Sequence, residues 1–338
     1  MSAVAPAEDE AVPRPAPRLL ARYAAGILWL GRYMERIENL ARQIDVTRTF
    51  ALDDVEGRIW RALLRVNADE PRFLERHREA TATAVAHFYL LDRDNPTSIQ
   101  TAMAAVRENA RTLRALISTE MWLQINVFHA RIRGLTEADI APGEITRVCT
   151  MLKDGCQSHA GITEGTFYRD QSWSFYEIGR HLERADQTTR LLDMRFSALL
   201  PGGNAGREVV RDGPDAEVQA GQWNALLRAA AGYHAYRRVR PHGYSPRDVA
   251  AFLLIDTAFP RSVGLNLAQI EWHLTQLRTH HDLHGGRAAM ERMDLLRALL
   301  HEQSVDSILK RGLSPFLDWL QQQIGGLYRD LEAAFFPA

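Results

Sequence analysis

The 338-residue sequence contains only two cysteines, Cys149 and Cys156. Their spacing is not that of a CxxC pair, and on a helix it spans two turns, which is too long for a disulfide. They are therefore interpreted as small buried apolar side chains. Such sparse use of cysteine is typical of the cytoplasm, which is the predicted location.

The sequence also lacks long apolar runs and any large net charge of one sign. No stretch of about 18 apolar residues occurs, so no membrane-spanning helix is predicted. The net charge of -1 argues against a general nucleic-acid or membrane-surface binder. Residues 1–17 lack the basic start and apolar core of a signal peptide, and they are predicted to be a disordered tail. No P-loop, Rossmann glycine pattern or nucleophile elbow is present, so no ATP site or activated serine is predicted.

Helical periodicity runs through nearly all of the remaining chain, and strand patterns are almost absent. The sequence therefore predicts an all-α fold forming a single domain over residues 18–338. Helix starts are expected at Asn95-Pro96, Ser245-Pro246 and Ser314-Pro315, because each pairs a capping side chain with a proline suited to the first turn. Residues 201–221, rich in glycine and charge, are predicted to be a linker. Helices are predicted at 19–52, 54–67, 70–90, 96–118, 119–133, 142–161, 163–199, 216–236, 246–256, 260–282, 286–301, 302–311 and 314–335.

Two blocks of the sequence recur in the same order. GRYMERIEN (31–39) resembles GRHLERADQ (179–187) at an offset of 148, and VAHFYLLDRDNPTSI (85–99) resembles VAAFLLIDTAFPRSV (249–263) at an offset of 164. Ordered repeats of this kind indicate an internal duplication. We therefore predict a helical bundle of two halves, about 19–160 and 163–335, related by a pseudo-two-fold axis, with the linker inside the second half.

Each copy of the first block carries a charged stripe that is closed at both ends by apolar residues. A stripe of this form is predicted to face a shared interior or cleft. Together with Arg42 and Arg190, the two stripes hold six arginines against two glutamates, and this surplus favours a bound carboxylate or phosphate. A structural ion-pair network and a solvated helix face are the alternatives. The predicted substrate-binding residues are Arg32, Arg36, Arg180 and Arg184, with Arg261 at a predicted helix N-terminus as a further candidate.

Glu35 and Glu183 are the candidates for a catalytic general base that would act on an attacking amine. Neighbouring arginines oppose the raised pKa that this role requires, so binding is favoured over proton transfer, and whether the chain is itself an enzyme stays open. His280, His281 and His284 have no accompanying Glu-x-x-His pair, and no metal site is predicted.

Several of these motifs together resemble the alpha-E domain family, a bacterial all-helical family named for its Glu-Arg (ER) motif. The resemblance covers residues 19–335, and the ER pairs map to Glu35-Arg36 and Glu183-Arg184. It rests on GRYMERIENLARQIDV, NPTSI, RENARTLRALISTEMW, WSFYEIGRHLERADQTTRLLDMR, AYRRVRP and FLLIDTAFPRSV.

Members of that family typically occur beside, or fused to, a circularly permuted ATP-grasp ligase, often with a transglutaminase-like protease. The resemblance thus implies a component of a peptide- or amide-bond-forming, or peptide-modifying, system. The ligase is expected to act in trans and to carry ATP and Mg, and a peptide or amino acid is the expected substrate. A purely structural adaptor and a metal-dependent helical enzyme are the alternative functions.

Overall fold

The computed structural model describes residues 19–51, 57–141, 143–199, 214–281, 283 and 285–336, without the side chains of 194–199 and 214–219. Within these ranges the chain forms fifteen α-helices and one 3-10 helix, and no strand. The predicted all-α fold is therefore confirmed. The predicted tail and residues 201–213 of the predicted linker lie outside the described residues, whereas the linker's last part, from Pro214, is helical.

The described helices differ widely in length, and α1 and α8 are the longest. A 3-10 helix, Glu137–Ile140, lies between α6 and α7. The α-helices are α1 (Ala21–Phe50), α2 (Arg58–Val66), α3 (Glu70–Leu74), α4 (Ala82–Leu90), α5 (Ile99–Thr112), α6 (Thr119–Arg133), α7 (Ile145–Thr166), α8 (Gln171–Leu199), α9 (Pro214–Ala229), α10 (Tyr233–Val239), α11 (Pro246–Leu254), α12 (Val263–Thr279), α13 (Arg287–Glu302), α14 (Val305–Arg311) and α15 (Leu313–Phe335).

Helices α1 and α8 run side by side in the same direction at the centre of the molecule. The backbone amide of Leu19 donates to Gln171 near their N-terminal ends, and the Gln43 side chain donates to Gln187 further along. The separation between such partners stays between 144 and 152 residues, so the two helices are parallel. This register matches the repeat offset of 148, and it places the two ER motifs at the same level.

Other helices enclose this central pair. Helices α5 and α7 pack against α1, whereas α12 and α15 pack against α8. Because neighbours surround α1, its buried face is wide, and Ile27, Ile37 and Ile44 are fully buried within it. Polar side chains of α1 are buried as well, including Glu35 and Asn39. A buried polar group is costly unless it is hydrogen-bonded, so the partners of these side chains decide what the central pair does.

The second repeated block folds twice into the same local structure, a helix, a turn and a second helix. Asp92 accepts a hydrogen bond from the amide two residues later, and Asp256 does the same. Ser98 then caps α5 and Ser262 caps α12. The predicted start at Asn95-Pro96 is therefore three residues too early, because Asn95 instead donates to the Phe88 carbonyl within the turn.

Two further sequence signals had different outcomes. Ser245 caps α11 with Pro246 in the first turn, which confirms that predicted start. Ser314 does not cap a helix, since α15 begins at Leu313 and the Ser314 hydroxyl donates to Asp193. The competing partner is a carboxylate on α8, which a reading of local sequence does not reveal.

The predicted junction between the halves, near residue 161, lies inside α7. Gly161 and Gly165 stay helical with open space around them, and α7 ends only at Thr166. The start signal for α8 is Asp170, whose carboxylate accepts hydrogen bonds from the amides of Ser172 and Trp173. An aspartate in this position satisfies amides that the helix itself leaves without a partner.

His159 on α7 is fully buried, and we expect it to make stability depend on pH. Burial and the charge of Arg180 lower its pKa to about 4. The unfolded chain takes up a proton near pH 6.5, so stability is complete above that pH and falls as the pH drops toward 4. The shift corresponds to roughly 3 kcal/mol. Urea unfolding between pH 7 and pH 4 measures the slope, which should become shallower in His159→Gln; an unchanged slope would contradict this assignment.

Candidate functional site

The two ER motifs meet across the contact between α1 and α8. Glu35 and Glu183 are buried, with 3% and 1% of their surface exposed. Arg36 donates Nε and Nη2 to the two oxygens of Glu183, at 2.7 and 3.0 Å. Arg184 donates in the same way to Glu35, at 3.0 and 2.6 Å. Each arginine therefore forms a bidentate ion pair with the glutamate of the other helix, the geometry in which guanidinium and carboxylate bind most strongly.

A second arginine reaches each ER glutamate. Arg32 Nε donates to Glu183 at 3.0 Å, and its guanidinium lies over the ring of Trp29 at 4.5 Å. Arg261, from the turn that precedes α12, donates to Glu35 at 2.7 Å and lies 3.0 Å from Glu38. Only 7% of Arg261 is exposed. Each buried carboxylate thus holds two guanidinium groups, which leaves positive charge around the pair of glutamates.

The charges of the arginines set the protonation of both ER glutamates. Burial alone would raise the pKa of Glu183, but the charges of Arg36 and Arg32 outweigh it and lower the pKa to about 2. Burial opposes the shift at Glu35 too, and Arg184 and Arg261 overcome it, so this pKa also lies well below the usual range. A carboxylate with so low a pKa is a weak proton acceptor near neutral pH.

Two glycines allow the central helices to come this close. A Cβ atom added at Gly31 would lie under 3.0 Å from the carbonyl oxygen of Tyr176. A Cβ atom added at Gly179 would lie under 3.0 Å from the carbonyl oxygen of Leu28. The glycines that open GRYMERIEN and GRHLERADQ therefore have the same role, because each lets the two backbones approach to the distance that the ER ion pairs span.

The predicted surplus compared six arginines with two glutamates only, and further acidic side chains neutralise some of those arginines. Arg42 pairs with Glu38 at 2.6 Å, and Arg190 pairs with Asp186 at 2.7 Å, one helical turn away in each case. Arg180, expected in the cross-helix network, pairs instead with Glu177 of its own helix. The surplus is therefore smaller than predicted, and it lies at the two ER glutamates.

A cavity of about 670 Å³ lies beside the ER network, between α8 and α12. Arg180 and Arg184 are the predicted substrate-binding residues that line it. Arg32 and Arg36 lie instead at the Glu183 end of the network, and Arg261 lies within the buried cluster around Glu35. The polar and aromatic side chains of the cavity wall are Glu164, Arg169, Trp173, Ser174, Glu177, Arg180, His181, Arg184, Gln269, Trp272, His273, Gln276 and His281.

Glu177 is the centre of a polar cluster in this wall. Its Oε2 accepts from Arg180 Nη2 and lies 3.2 Å from His181 Nε2. Burial by itself raises the pKa of Glu177, but the hydrogen bond from His181 and the charge of Arg180 have the larger effect. The pKa is therefore lowered overall, and the carboxyl group is ionised. Asn266 fixes His181 from the other side, with its Oδ1 2.7 Å from Nδ1. Asn266 Nδ2 donates to two backbone carbonyls, which orients the amide so that Oδ1 is the acceptor.

Sequence reasoning missed Glu177 and His181 of this cluster, although a signal for them was present. Glu177, His181 and Arg184 follow the i, i+4, i+7 spacing that places three side chains on one face of a helix. His273, which lines the same cavity, comes from α12 and was not predicted, because only the fold brings it to α8. Burial lowers the pKa of His273 to about 4, so its imidazole is neutral near pH 7.

Comparison with protein families identifies the chain. The model of the Alpha-E family, described as a predicted alpha-helical domain with a conserved ER motif, matches residues 19–336. The chain belongs to the Alpha-E family. In this Alpha-E protein two Glu-Arg pairs, Glu35-Arg36 and Glu183-Arg184, form the cross-helix ion pairs described above.

Curated relatives of the Alpha-E protein come from mycobacteria. The uncharacterized proteins Rv2567 of Mycobacterium tuberculosis H37Rv, MT2643 of M. tuberculosis CDC 1551 and Mb2597 of M. bovis are each 23% identical to it over 335 residues. Each match covers 92% of this chain but only 36% of the relative, so the chain spans about a third of the length of these proteins. No solved structure matches the chain.

None of the described helices combines the length and apolarity needed to cross a bilayer. Within the described part of the chain, no group of three or more His, Cys, Asp or Glu side chains is placed to hold a metal ion. His284 of the predicted histidine group lies outside the described residues.

Proposed function

We propose that this Alpha-E protein is the non-ATP-hydrolysing component of an ATP-grasp-linked system that forms amide bonds or modifies peptides. In this proposal it holds an anionic group of the substrate, a carboxylate or acyl phosphate, in the cavity beside Arg180 and Arg184. The observation that carries the proposal is that a cavity of about 670 Å³ is lined by Arg184, a member of the positively charged ER network, and by Arg180 one turn before it on α8. Arginine is the side chain best suited to bind carboxylate and phosphate oxygens.

The buried glutamates and the cavity arginines have different roles in this proposal. Glu35 holds Arg184 in place, so the guanidinium is already oriented before a ligand arrives. The low pKa values of Glu35 and Glu183 support an electrostatic role over proton transfer. ATP and Mg belong to the partner ligase, a circularly permuted ATP-grasp enzyme acting in trans.

We also propose that the chain consists of two duplicated halves related by a pseudo-two-fold axis. Contacts across a two-fold axis are reciprocal, since residue i of one half meets residue j of the other, and the equivalent of j meets the equivalent of i. The pairs Arg36–Glu183 and Arg184–Glu35 have this form at the repeat offset of 148. The packing of α5 on α1 and of α12 on α8 supports the same relation.

A structural adaptor is the second candidate function, and a specific observation favours it. Each ER glutamate is fully engaged by arginines of the protein itself, so the motif is complete without a ligand. In that case the ER pairs only join α1 to α8, and the protein supplies a surface to which the ligase binds.

Arg180→Gln tests the proposed anion site. We expect the wild-type protein to bind inorganic phosphate or propionate in calorimetric titrations. The variant should bind about tenfold to a hundredfold more weakly, because one charge-assisted hydrogen bond contributes about 1.5–3 kcal/mol. Arg111→Gln is the matched control, since Arg111 pairs with Glu108 on an exposed helix face far along the sequence from the cavity. Failure of the wild-type protein to bind either anion would contradict the site.

The same variant separates the two functions when the partner ligase is present. Association is measured by co-purification, and product formation from ATP and amino acids is measured by mass spectrometry. If Arg180→Gln keeps its thermal stability and its association but loses product formation, the binding function is supported. If product formation persists unchanged, the adaptor function is the correct one.

A further inference from the structure

Two buried polar atoms in the cavity wall have no hydrogen-bond partner among the described residues. They are Oε1 of Glu177 and Nε of Arg180. Glu177 is only 2% exposed, and both residues line the cavity. Most buried polar atoms in folded proteins are hydrogen-bonded, so a pair of exceptions at one cavity calls for an explanation.

The two atoms differ in what they require. An ionised carboxylate oxygen only accepts hydrogen bonds, whereas a guanidinium nitrogen only donates them. Glu177 and Arg180 already form an ion pair with each other through Oε2 and Nη2. The free acceptor and the free donor therefore belong to one ion pair, and they lie on residues three positions apart on α8, which are neighbours on the helix surface.

From this arrangement we propose that the cavity binds a ligand that carries an ammonium group and a carboxylate on neighbouring atoms, which is the chemistry of a free α-amino acid. The ammonium group donates to Glu177 Oε1, and the carboxylate accepts from Arg180. This inference rests on the proposed function and narrows its anionic substrate to a zwitterion.

The charges around the cavity agree with a ligand of both signs. Arg184 lies beside Arg180 in the wall and adds positive charge on the carboxylate side. Ser174 lies 3.4 Å from His273 Nδ1, so further polar groups surround the Glu177 end. A ligand with a carboxylate alone would leave Glu177 Oε1 without a donor, and an amine alone would leave Arg180 Nε without an acceptor.

Aromatic rings form the wall that would contact the side chain of the ligand. Trp272, which lines the cavity, is 52% exposed as a residue, and Trp173 lies under the guanidinium of Arg169 at 3.4 Å. A volume of about 670 Å³ leaves room for a large side chain beyond the two charged groups. Arg180, with 25% of its side chain exposed, is the more accessible partner of this ion pair, since only 3% of the Glu177 side chain is exposed.

The test compares ligands that differ by one charge. A thermal-shift screen with the twenty standard L-amino acids identifies the strongest binder, which is then titrated calorimetrically beside its deaminated and decarboxylated analogues and inorganic phosphate. We expect the amino acid to bind at least about tenfold more tightly than either analogue. Glu177→Gln should remove the preference for the amino acid over the deaminated analogue, while binding of that analogue persists.

The outcomes separate this inference from the proposed function. If the deaminated analogue or phosphate binds in an Arg180-dependent way and no amino acid binds more tightly, the zwitterion inference is wrong and the anion site stands. If amino acids, analogues and phosphate all fail to bind, both are wrong. The wild-type comparison does not depend on the folding of any variant, and a preference that persists in folded Glu177→Gln would overturn the assignment of the ammonium group.

Discussion

Replacing Glu35 with glutamine is expected to lower the free energy of unfolding by about 3–5 kcal/mol. The reason is that Glu35 is the buried carboxylate partner of both Arg184 and Arg261. Glutamine removes the negative charge that both guanidinium groups face. Leaving a buried charge without its partner is among the most destabilising effects that a substitution can have. Urea unfolding monitored by circular dichroism measures the effect.

Two comparisons make the Glu35→Gln result specific. Glu183→Gln should cost less, because 26% of the Arg36 side chain is exposed against 14% for Arg184, so water compensates part of the loss. Glu108→Gln, on an exposed pair with Arg111, should leave the unfolding midpoint unchanged. A Glu35→Gln protein as stable as the wild type would show that the ER ion pairs do not hold the two helices together.

The second large effect is expected for Gly179→Ala. Alanine normally stabilises the interior of a helix by about 0.5–1 kcal/mol relative to glycine. Here the added methyl group meets the backbone carbonyl of Leu28, which cannot rotate away as a side chain could. Helices α1 and α8 must therefore move apart, and we expect a loss of about 3 kcal/mol, at the upper end of overpacking effects.

Two glycines of α7 provide a control of opposite sign. Gly161 and Gly165 lie in α7, and apart from the nearby backbone of that helix no atom lies within 4 Å of an added Cβ at either. Replacing either with alanine should raise the free energy of unfolding by about 0.5–1 kcal/mol. Thermal and urea unfolding of the three variants would show the contrast. Equal gains in stability at all three positions would mean that α1 and α8 do not pack as closely as described.

The long periodic helices could be predicted from the sequence because their pattern is local. The prediction of 19–52 corresponds to Ala21–Phe50, and that of 119–133 matches Thr119–Arg133. The prediction of a single helix over 70–90 is wrong. One helix ends at Leu74, and the next begins at Ala82 with Thr81 as its N-cap. Residues 75–79 are all charged or histidine, so the apolar pattern stops there, and the Thr81 cap marks where the next helix begins.

The candidate site could be predicted only in part. Burial of Glu35 and Glu183 followed from the apolar residues that close each charged stripe, and the structure confirms it. Which arginine meets which glutamate depends on the parallel register of two helices distant in sequence, and a single helix does not encode that. Arg180 illustrates the limit, because a neighbour one turn away on its own helix, Glu177, takes the place of the expected partner.

The parallel register of α1 and α8 also has a consequence for the order in which the protein can fold during synthesis. Arg184 follows Glu35 by 149 residues, so the first ER glutamate leaves the ribosome well before its partner exists. At translation rates of about 5–20 residues per second, the delay is on the order of 7–30 s. Most helical proteins fold quickly because their contacts are local in sequence, but the centre of this bundle forms from some of the most distant contacts in the chain. The earliest long helix to be made is therefore among the last to acquire its native surroundings.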